Sequence, residues 1–292
     1  MKILITGAKS FVGSALKDYL LQWPEKYKID TISLRDDAWL SENFGSFDSV
    51  FHAAGIAHDD AKKIPEGEQN LYYEINTKLA YESALKAKED GARQFIFMSS
   101  SIIYGKSAPI GEQKIITRDT PPNPESNYGE SKLKAEEALK SLDDENFRVC
   151  ILRCPMIYGF GCKGNYPVLS KLARKLPVFP KIHNTRSMLY VKNFAEFTRL
   201  IIENQERGIF WPQNKEYSDT SNLVKLIAKA HGKKVMLIPC CEFMLRLLSR
   251  FTGLVNKAFG SLAYSQDLSE YKSDYRLYSL EQSITDTENS SD

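Results

Sequence analysis

The first twenty residues constrain the fold most. Lys2-Ile3-Leu4-Ile5-Thr6 is a short, mostly apolar run that reads as a buried parallel strand. Gly7-Ala8-Lys9-Ser10-Phe11-Val12-Gly13 follows, and then Ala15, Leu16, Tyr19 and Leu20 recur at helical spacing. Strand, glycine turn and helix in this order form a dinucleotide-binding unit. Gly7 lets the chain turn, Gly13 lets the helix pack close to the sheet, and the helix N-terminus offers free N–H groups and a favourable dipole to a pyrophosphate. Ser10 stands where a third glycine is usual, and is small enough to be tolerated. Gly7, Ser10, Phe11, Val12 and Gly13 are thus the first candidate cofactor contacts.

Strands and helices go on alternating. Residues 28–34 read as a second strand and 49–55 as a third, ending in Ala53-Ala54-Gly55, whose small side chains let a cofactor approach. Helical spacing then runs from 71 to 88 and stops before Gly91. Residues 94–98 form a fourth strand that emerges into Ser99-Ser100-Ser101. After Pro121, Pro122 and Pro124, either Ser126 or Asn127 caps a helix whose buried side is Leu133, Ala138, Leu139 and Leu142. Residues 147–152 give a fifth strand. This pattern predicts an α/β fold with a doubly wound parallel sheet, which binds ligands beyond the carboxyl ends of its strands. The serine run falls at such an end.

The chemistry concentrates in Tyr128-Gly129-Glu130-Ser131-Lys132. Positions i and i+4 share a helix face, so an ammonium can sit beside a phenol. Tyrosine titrates near pH ~10 and is a poor base; a neighbouring cation favours its phenolate and makes it a usable proton carrier. The spacing is common by chance, and it gains meaning from the glycine turn and the serine run.

Composition excludes other classes. At 292 residues the chain can bury a sizeable core, and a net charge of +2 gives no overall basic field for nucleic acid. No apolar stretch reaches the length of about eighteen residues that would suggest an integral membrane segment. The first strand begins almost at Met1, which argues against a signal peptide. Cys150, Cys154, Cys162, Cys240 and Cys241 are odd in number and lack zinc-ligand company, so reduced thiols in a cytoplasm and no metal site are expected.

Several pieces in fixed order carry a resemblance: Thr6-Gly7 to Gly13, His52-Ala53-Ala54-Gly55, Asn76, Ser99-Ser100 with Tyr104-Gly105, Tyr128 to Lys132, Arg153-Cys154-Pro155 with Tyr158-Gly159, and Arg186 to Val191. Together they resemble the extended short-chain dehydrogenase/reductase family, in its NAD-dependent epimerase/dehydratase branch of nucleotide-sugar epimerases and reductases. The resemblance implies a Rossmann-like NAD(P)-binding domain over residues 1–155 plus about 186–212. It implies a smaller α+β substrate domain over about 156–185 plus 213–282. The polar residues 283–292 read as a disordered tail.

By the same resemblance, Tyr128 exchanges a proton with a sugar hydroxyl while hydride moves to or from nicotinamide. Lys132 lowers the tyrosine pKa and holds the nicotinamide ribose. The catalytic serine, four residues before Tyr104, falls on Ser100. Ala53, Ala54, Gly55, Asn76 and Pro155 are further cofactor contacts; Ser100, Ser101, Asn165 and Arg186 face the substrate, the arginine as a fork for its diphosphate. Related 4,6-dehydratases carry an acidic pair just after the serine position, where this chain has Ser101-Ile102, which disfavours dehydration. The expected reaction is 4-epimerisation of a UDP-hexose or UDP-N-acetylhexosamine in a polysaccharide pathway. The alternative is an NADPH-dependent 4-keto-6-deoxy nucleotide-sugar reductase. A third reading is a non-catalytic NAD(P) sensor, although sensors tend to lose the tyrosine or lysine retained here. The cofactor is NAD or NADP: Arg35 could meet a 2′-phosphate, and Asp36 could instead bind the free ribose hydroxyl. A homodimer through the Tyr128 helix is an expectation carried by the resemblance alone. Phe243, Met244, Leu247, Leu248, Phe251, Leu254 and Val255 form an apolar helical stripe with Arg246 and Arg250 off it. Packing of the second domain is favoured there over a membrane-surface helix or a diphosphate contact.

Overall fold

The computed structural model describes residues 1–289 apart from Ala8 and residues 57–69, 240–244 and 247–252. In chain order the first strands are β1 (Lys2–Thr6), β2 (Lys28–Ile32), β3 (Ser49–His52), β4 (Gln94–Ser100), β5 (Ile115–Ile116) and β6 (Arg148–Cys154). They are followed by β7 (Met156–Tyr158), β8 (Val178–Pro180), β9 (Met188–Tyr190), β10 (Gly208–Phe210), β11 (Met236–Ile238) and β12 (Ala263–Tyr264). The helices used below are α1 (Phe11–Leu20), α2 (Asn70–Tyr72), α3 (Leu79–Asp90), α4 (Asn127–Lys140), α5 (Asn165–Lys175), α6 (Val191–Glu203) and α7 (Thr220–Ala230).

The chain forms two compact units. The first comprises Met1–Gly105, Pro121–Cys154 and Phe194–Pro212, and the second Lys106–Thr120, Pro155–Asn193 and Gln213–Asp292. Residues 106–120 and 186–193 therefore lie in the second unit, where the sequence reading had assigned them to the first.

The first unit is built on a parallel six-stranded sheet in the order β10-β6-β4-β3-β1-β2. Ile3, Ile5, Val50, Phe51, Phe95, Ile96, Phe97 and Leu152 are fully buried. Such continuous apolar strands require cover on both faces, the doubly wound arrangement that the alternation predicts. The order turns between β1 and β3, since β2 lies on one side of β1 and β3 on the other. The crevice at such a switch point opens beyond the carboxyl ends of β1 and β3, where Gly7 and Ala53-Ala54-Gly55 sit.

Several boundaries differ from expectation. β2 ends at Ile32 and β3 at His52, whereas β4 and β6 stay paired two residues further, through Ser99↔Arg153 and Ser100↔Cys154. The helical segment before Gly91 contains a π-helical turn, Tyr73–Lys78, between α2 and α3. Gly91 ends α3 at φ +99°, a left-handed cap that glycine adopts without strain.

Among its described residues the second unit holds three two-stranded parallel pairs, β5 with β12, β7 with β9 and β8 with β11. Its polar C-terminal segment is not a disordered tail over the described residues. Leu280–Asn289 is a helix that buries Leu280, Ser283, Ile284, Thr287 and Glu288, a stripe at i, i+3, i+4, i+7 and i+8. The Glu288 carboxylate accepts from Tyr166 Oη and Ser170 Oγ, both at 2.8 Å, and lies 2.7 Å from His231 Nε2. Serine and threonine on the buried face hid the period from a hydropathy reading.

Cys150, Cys154 and Cys162 are buried free thiols. Cys240 and Cys241 lie outside the described residues, as does most of the 243–255 stripe. Among the described residues no helix is long and apolar enough to cross a membrane.

Candidate active site

Tyr128 enters the site at the start of α4. Ser126 caps this helix, its Oγ accepting from Gly129 N–H at 3.1 Å, so the serine and not Asn127 is the cap. A Cβ on Gly129 would stand 3.0 Å from Pro124 Cβ and 3.1 Å from the Ile102 carbonyl oxygen. The missing side chain thus lets the first turn of α4 lie against the segment that leaves β4. Ser131, Lys132, Ala135, Glu136 and Leu139 are buried behind it.

Ser100 closes β4 and caps the short turn Ser101–Tyr104, its Oγ accepting from Ile102 N–H at 3.3 Å. The hydroxyl proton stays available, and Ser100 acts on the Tyr128 phenol in the direction that favours its ionised form. Burial pushes the Tyr128 pKa up to about 12, with the Ser100 hydrogen bond pulling the other way. The sequence reading had assigned that lowering to Lys132. In the structure the Lys132 ammonium donates to the Met98 carbonyl at 2.8 Å and lies 4.7 Å from the centroid of the Phe97 ring. Burial lowers its pKa to about 8, and Glu136 one turn further along works against that fall. Ser99 faces away from this group: its hydroxyl donates to the Glu136 carboxylate.

Glu136 is the centre of a network that the sequence reading missed. It is wholly buried, and Arg153 grips its carboxylate through Nε at 3.1 Å and Nη2 at 2.6 Å. Arg153 Nη1 also donates to Tyr104 Oη at 2.7 Å, which accepts from Trp211 Nε1 at 2.8 Å. One bidentate pair thereby ties the helix of Tyr128 and Lys132 to the ends of β4 and β6. A signal was present: Tyr128, Lys132 and Glu136 recur every fourth residue, which puts a carboxylate on the buried face that carries the lysine.

The glycine turn forms a cradle. Gly7 has φ +73°, and a Cβ there would lie 2.7 Å from Ala54 N, so only glycine lets the turns after β1 and β3 meet. A Cβ on Gly13 would lie 2.7 Å from Ser10 Oγ. Ser10 is the N-cap of α1, extended at φ −75°, and its Oγ accepts from Gly13 N–H at 3.0 Å. That cap explains why no glycine is needed at position 10. Phe11 and Val12 form the first turn of α1, with Arg35 exposed just after β2. Asp36 caps the turn Asp37–Ser41 by accepting from Ala38 N–H at 3.2 Å.

Asn76 lies in the π-helical turn and is fully buried. Its side chain accepts from Ile56 N–H at 2.9 Å and donates to Ile56 O and Ser131 Oγ, both at 3.1 Å. It joins the turn after Gly55 to the Lys132 helix. His52 is also fully buried; burial and the nearby Lys132 charge hold its pKa at about 3, so it is neutral.

The remaining candidates lie elsewhere. Ser101 begins the turn after Ser100 in the first unit, while Pro155 is buried at the start of the second-unit segment that follows β6. In the second unit Asn165 is the first residue of α5, after Gly164 at φ +92°. Arg186 bridges Ser218 and Leu262 through its backbone and donates from Nη1 to the Ala258 carbonyl at 3.1 Å. Burial pulls its pKa below the ordinary arginine value.

Comparison with known proteins identifies the assembly. The model of the NAD dependent epimerase/dehydratase family matches residues 3–210, well over half of the chain. The chain belongs to this family. It is 28% identical over 291 residues to a UDP-glucose 4-epimerase of Vibrio cholerae, covering 89% of this chain and 86% of that protein. It is 26% identical over 279 residues to an N-acetyl-alpha-D-glucosaminyl-diphospho-ditrans,octacis-undecaprenol 4-epimerase of Escherichia coli O157:H7, covering 86% and 81%. Among solved structures, a dTDP-4-dehydrorhamnose reductase of Bacillus anthracis in complex with NADP superposes with a TM-score of 0.72 at 20% identity, over 100% of this chain and 99% of that one. The chain is thus an enzyme of the nucleotide-sugar epimerase, dehydratase and reductase family, whose fold has been solved with NAD and with NADP. Its own residues fit the cofactor: the side-chain-free approach at Gly7 and the capped N-terminus of α1 are what a pyrophosphate requires.

Proposed function

We propose that this member of the NAD dependent epimerase/dehydratase family is a nucleotide-sugar 4-epimerase acting on a UDP-hexose or UDP-N-acetylhexosamine. The observation that carries the chemistry is the Tyr128 phenol, whose ionised form Ser100 favours, on the same face of α4 as the buried Lys132. Likeness over nearly full length to two 4-epimerases supports the choice of reaction. When bound, the nicotinamide cofactor supplies a reversible hydride acceptor at C4 of the sugar.

In this reading Gly7, Ser10, Phe11, Val12 and Gly13 hold the pyrophosphate, and Ala53, Ala54 and Gly55 line the approach. Tyr128 takes the proton of the C4 hydroxyl and later returns one. Ser100, its oxygen already accepting from Ile102 N–H, shares its own proton with the tyrosine and the sugar oxygen. Lys132, anchored by the Met98 carbonyl on the same face of α4, holds the nicotinamide ribose, while Ser100 favours the phenolate. Arg186 and Asn165 meet the nucleotide diphosphate.

One observation favours the reductase alternative. Asp36 is engaged as a cap while Arg35 is exposed just after β2, which suits the 2′-phosphate of NADP. Cofactor content separates the two. Acid-released cofactor from purified protein, read by mass spectrometry and absorbance, should be near-stoichiometric NAD, because an epimerase regenerates its cofactor each cycle. An empty protein that binds NADPH tightly would shift the assignment to a 4-keto sugar reductase.

A further inference from the structure

The small net charge conceals an uneven distribution. No Asp or Glu occurs between Glu145 and Glu196, a stretch with nine Lys and Arg, and none between Asp219 and Glu242, a stretch with four Lys. The chain as a whole is only +2. Parts of these two stretches come together in the second unit.

α5 exposes Lys171, Arg174 and Lys175, and the chain then runs through exposed Leu176 into β8. There Val178 pairs in register with Met236 of β11, and Met236 N–H donates to the Pro177 carbonyl at 3.0 Å. Lys233 Nζ donates to the Arg174 carbonyl at 2.7 Å, which caps the end of α5 and fixes the turn before β11 against it. Lys234 is exposed on the same turn.

The result is an exposed apolar cluster with a group of cations beside it. Met236 is 64% exposed, more than any other large apolar side chain among the described residues, with Leu176 at 40% and Val178 at 39%. Among the described residues, Lys171, Arg174, Lys175, Lys233 and Lys234 form no ion pair with a carboxylate, whereas Lys229 nearby is paired with Glu281. Single exposed apolar residues are ordinary on protein surfaces. Three exposed apolar side chains directly following two runs of unpaired cations suit a particular partner. Cations gain from anionic headgroups, while short apolar side chains enter the boundary between headgroups and acyl chains. A nucleic acid would use the cations but gain nothing from an aliphatic centre, and no exposed aromatic ring is available in this cluster for base stacking.

We propose that this face of the second unit docks reversibly on a phospholipid bilayer surface carrying anionic lipid. The inference is independent of the reaction assigned above. It rests on residues that take no part in the candidate active site, so either reading can fail without the other.

Co-sedimentation of the intact protein with vesicles tests it. Binding is expected to phosphatidylcholine vesicles containing phosphatidylglycerol, to weaken with added salt, and to be absent with phosphatidylcholine alone. The triple variant Lys175→Glu, Lys233→Glu, Lys234→Glu should lower partitioning by about a hundredfold or more, on the scale of about fivefold per surface cation. Met236→Ser should weaken binding at unchanged charge, and both variants should keep the wild-type circular dichroism. No pelleting with phosphatidylglycerol vesicles would overturn the proposal, as would undiminished pelleting of a folded triple variant. Retention on heparin by a protein that ignores the vesicles would mark a site for a soluble polyanion and also overturn it.

Discussion

Replacing Tyr128 with Phe should lower turnover by about a hundred- to ten-thousandfold, the usual contribution of a positioned acid–base group, while cofactor content stays as in the parent. The substitution removes one oxygen and leaves the ring, which packs 6.1 Å from Tyr72, in place. Burial already holds the phenol at a pKa of about 12, so the native fold does not depend on an ionised group there. Thermal stability should accordingly change little. A variant with parental turnover would remove Tyr128 from the chemistry. A variant that loses both turnover and cofactor would make the tyrosine a binding residue.

The second large effect is on stability. Glu136→Ala should destabilise the protein by about 3–5 kcal/mol, the range for breaking a buried ion pair by removing one partner. Arg153 would be left charged in the core, and the Ser99 hydroxyl would lose its acceptor. Denaturant unfolding of the purified variant measures this. The double variant Glu136→Leu, Arg153→Met should be less destabilised than Glu136→Ala, because no charge is then stranded. A single variant within about 1 kcal/mol of the parent would show that the network is incidental.

The candidate site was legible in the sequence wherever the information was local. Tyr128 and Lys132 are related by one helical turn, Ser100 lies at a strand end, and Gly7 and Gly13 lie on either side of a turn; each relation can be read within a few residues. The Glu136 network was not, because it joins Ser99, Tyr104, Arg153 and Trp211 from segments far apart in the chain, and only the register of β4 with β6 brings them together. The same limit explains the Lys132 result. Spacing placed the ammonium on the correct face, but its direction was decided by the Met98 carbonyl and the Phe97 ring on a different element. The C-terminal helix failed for another reason. Its composition is polar, and the position that fixes it, Glu288, is a charged residue buried by partners at 166, 170 and 231.

As proposed, the chain inverts C4 of a nucleotide sugar with a cofactor it retains. Incubating the purified protein, without added nicotinamide, with UDP-glucose and separately with UDP-N-acetylglucosamine, and following the sugar signals by proton NMR, tests this most directly. The 4-epimer of at least one of them should appear and settle at a constant ratio, reached equally from the epimer side. No epimer from either sugar, together with NADPH-dependent consumption of a 4-keto-6-deoxy nucleotide sugar, would contradict it.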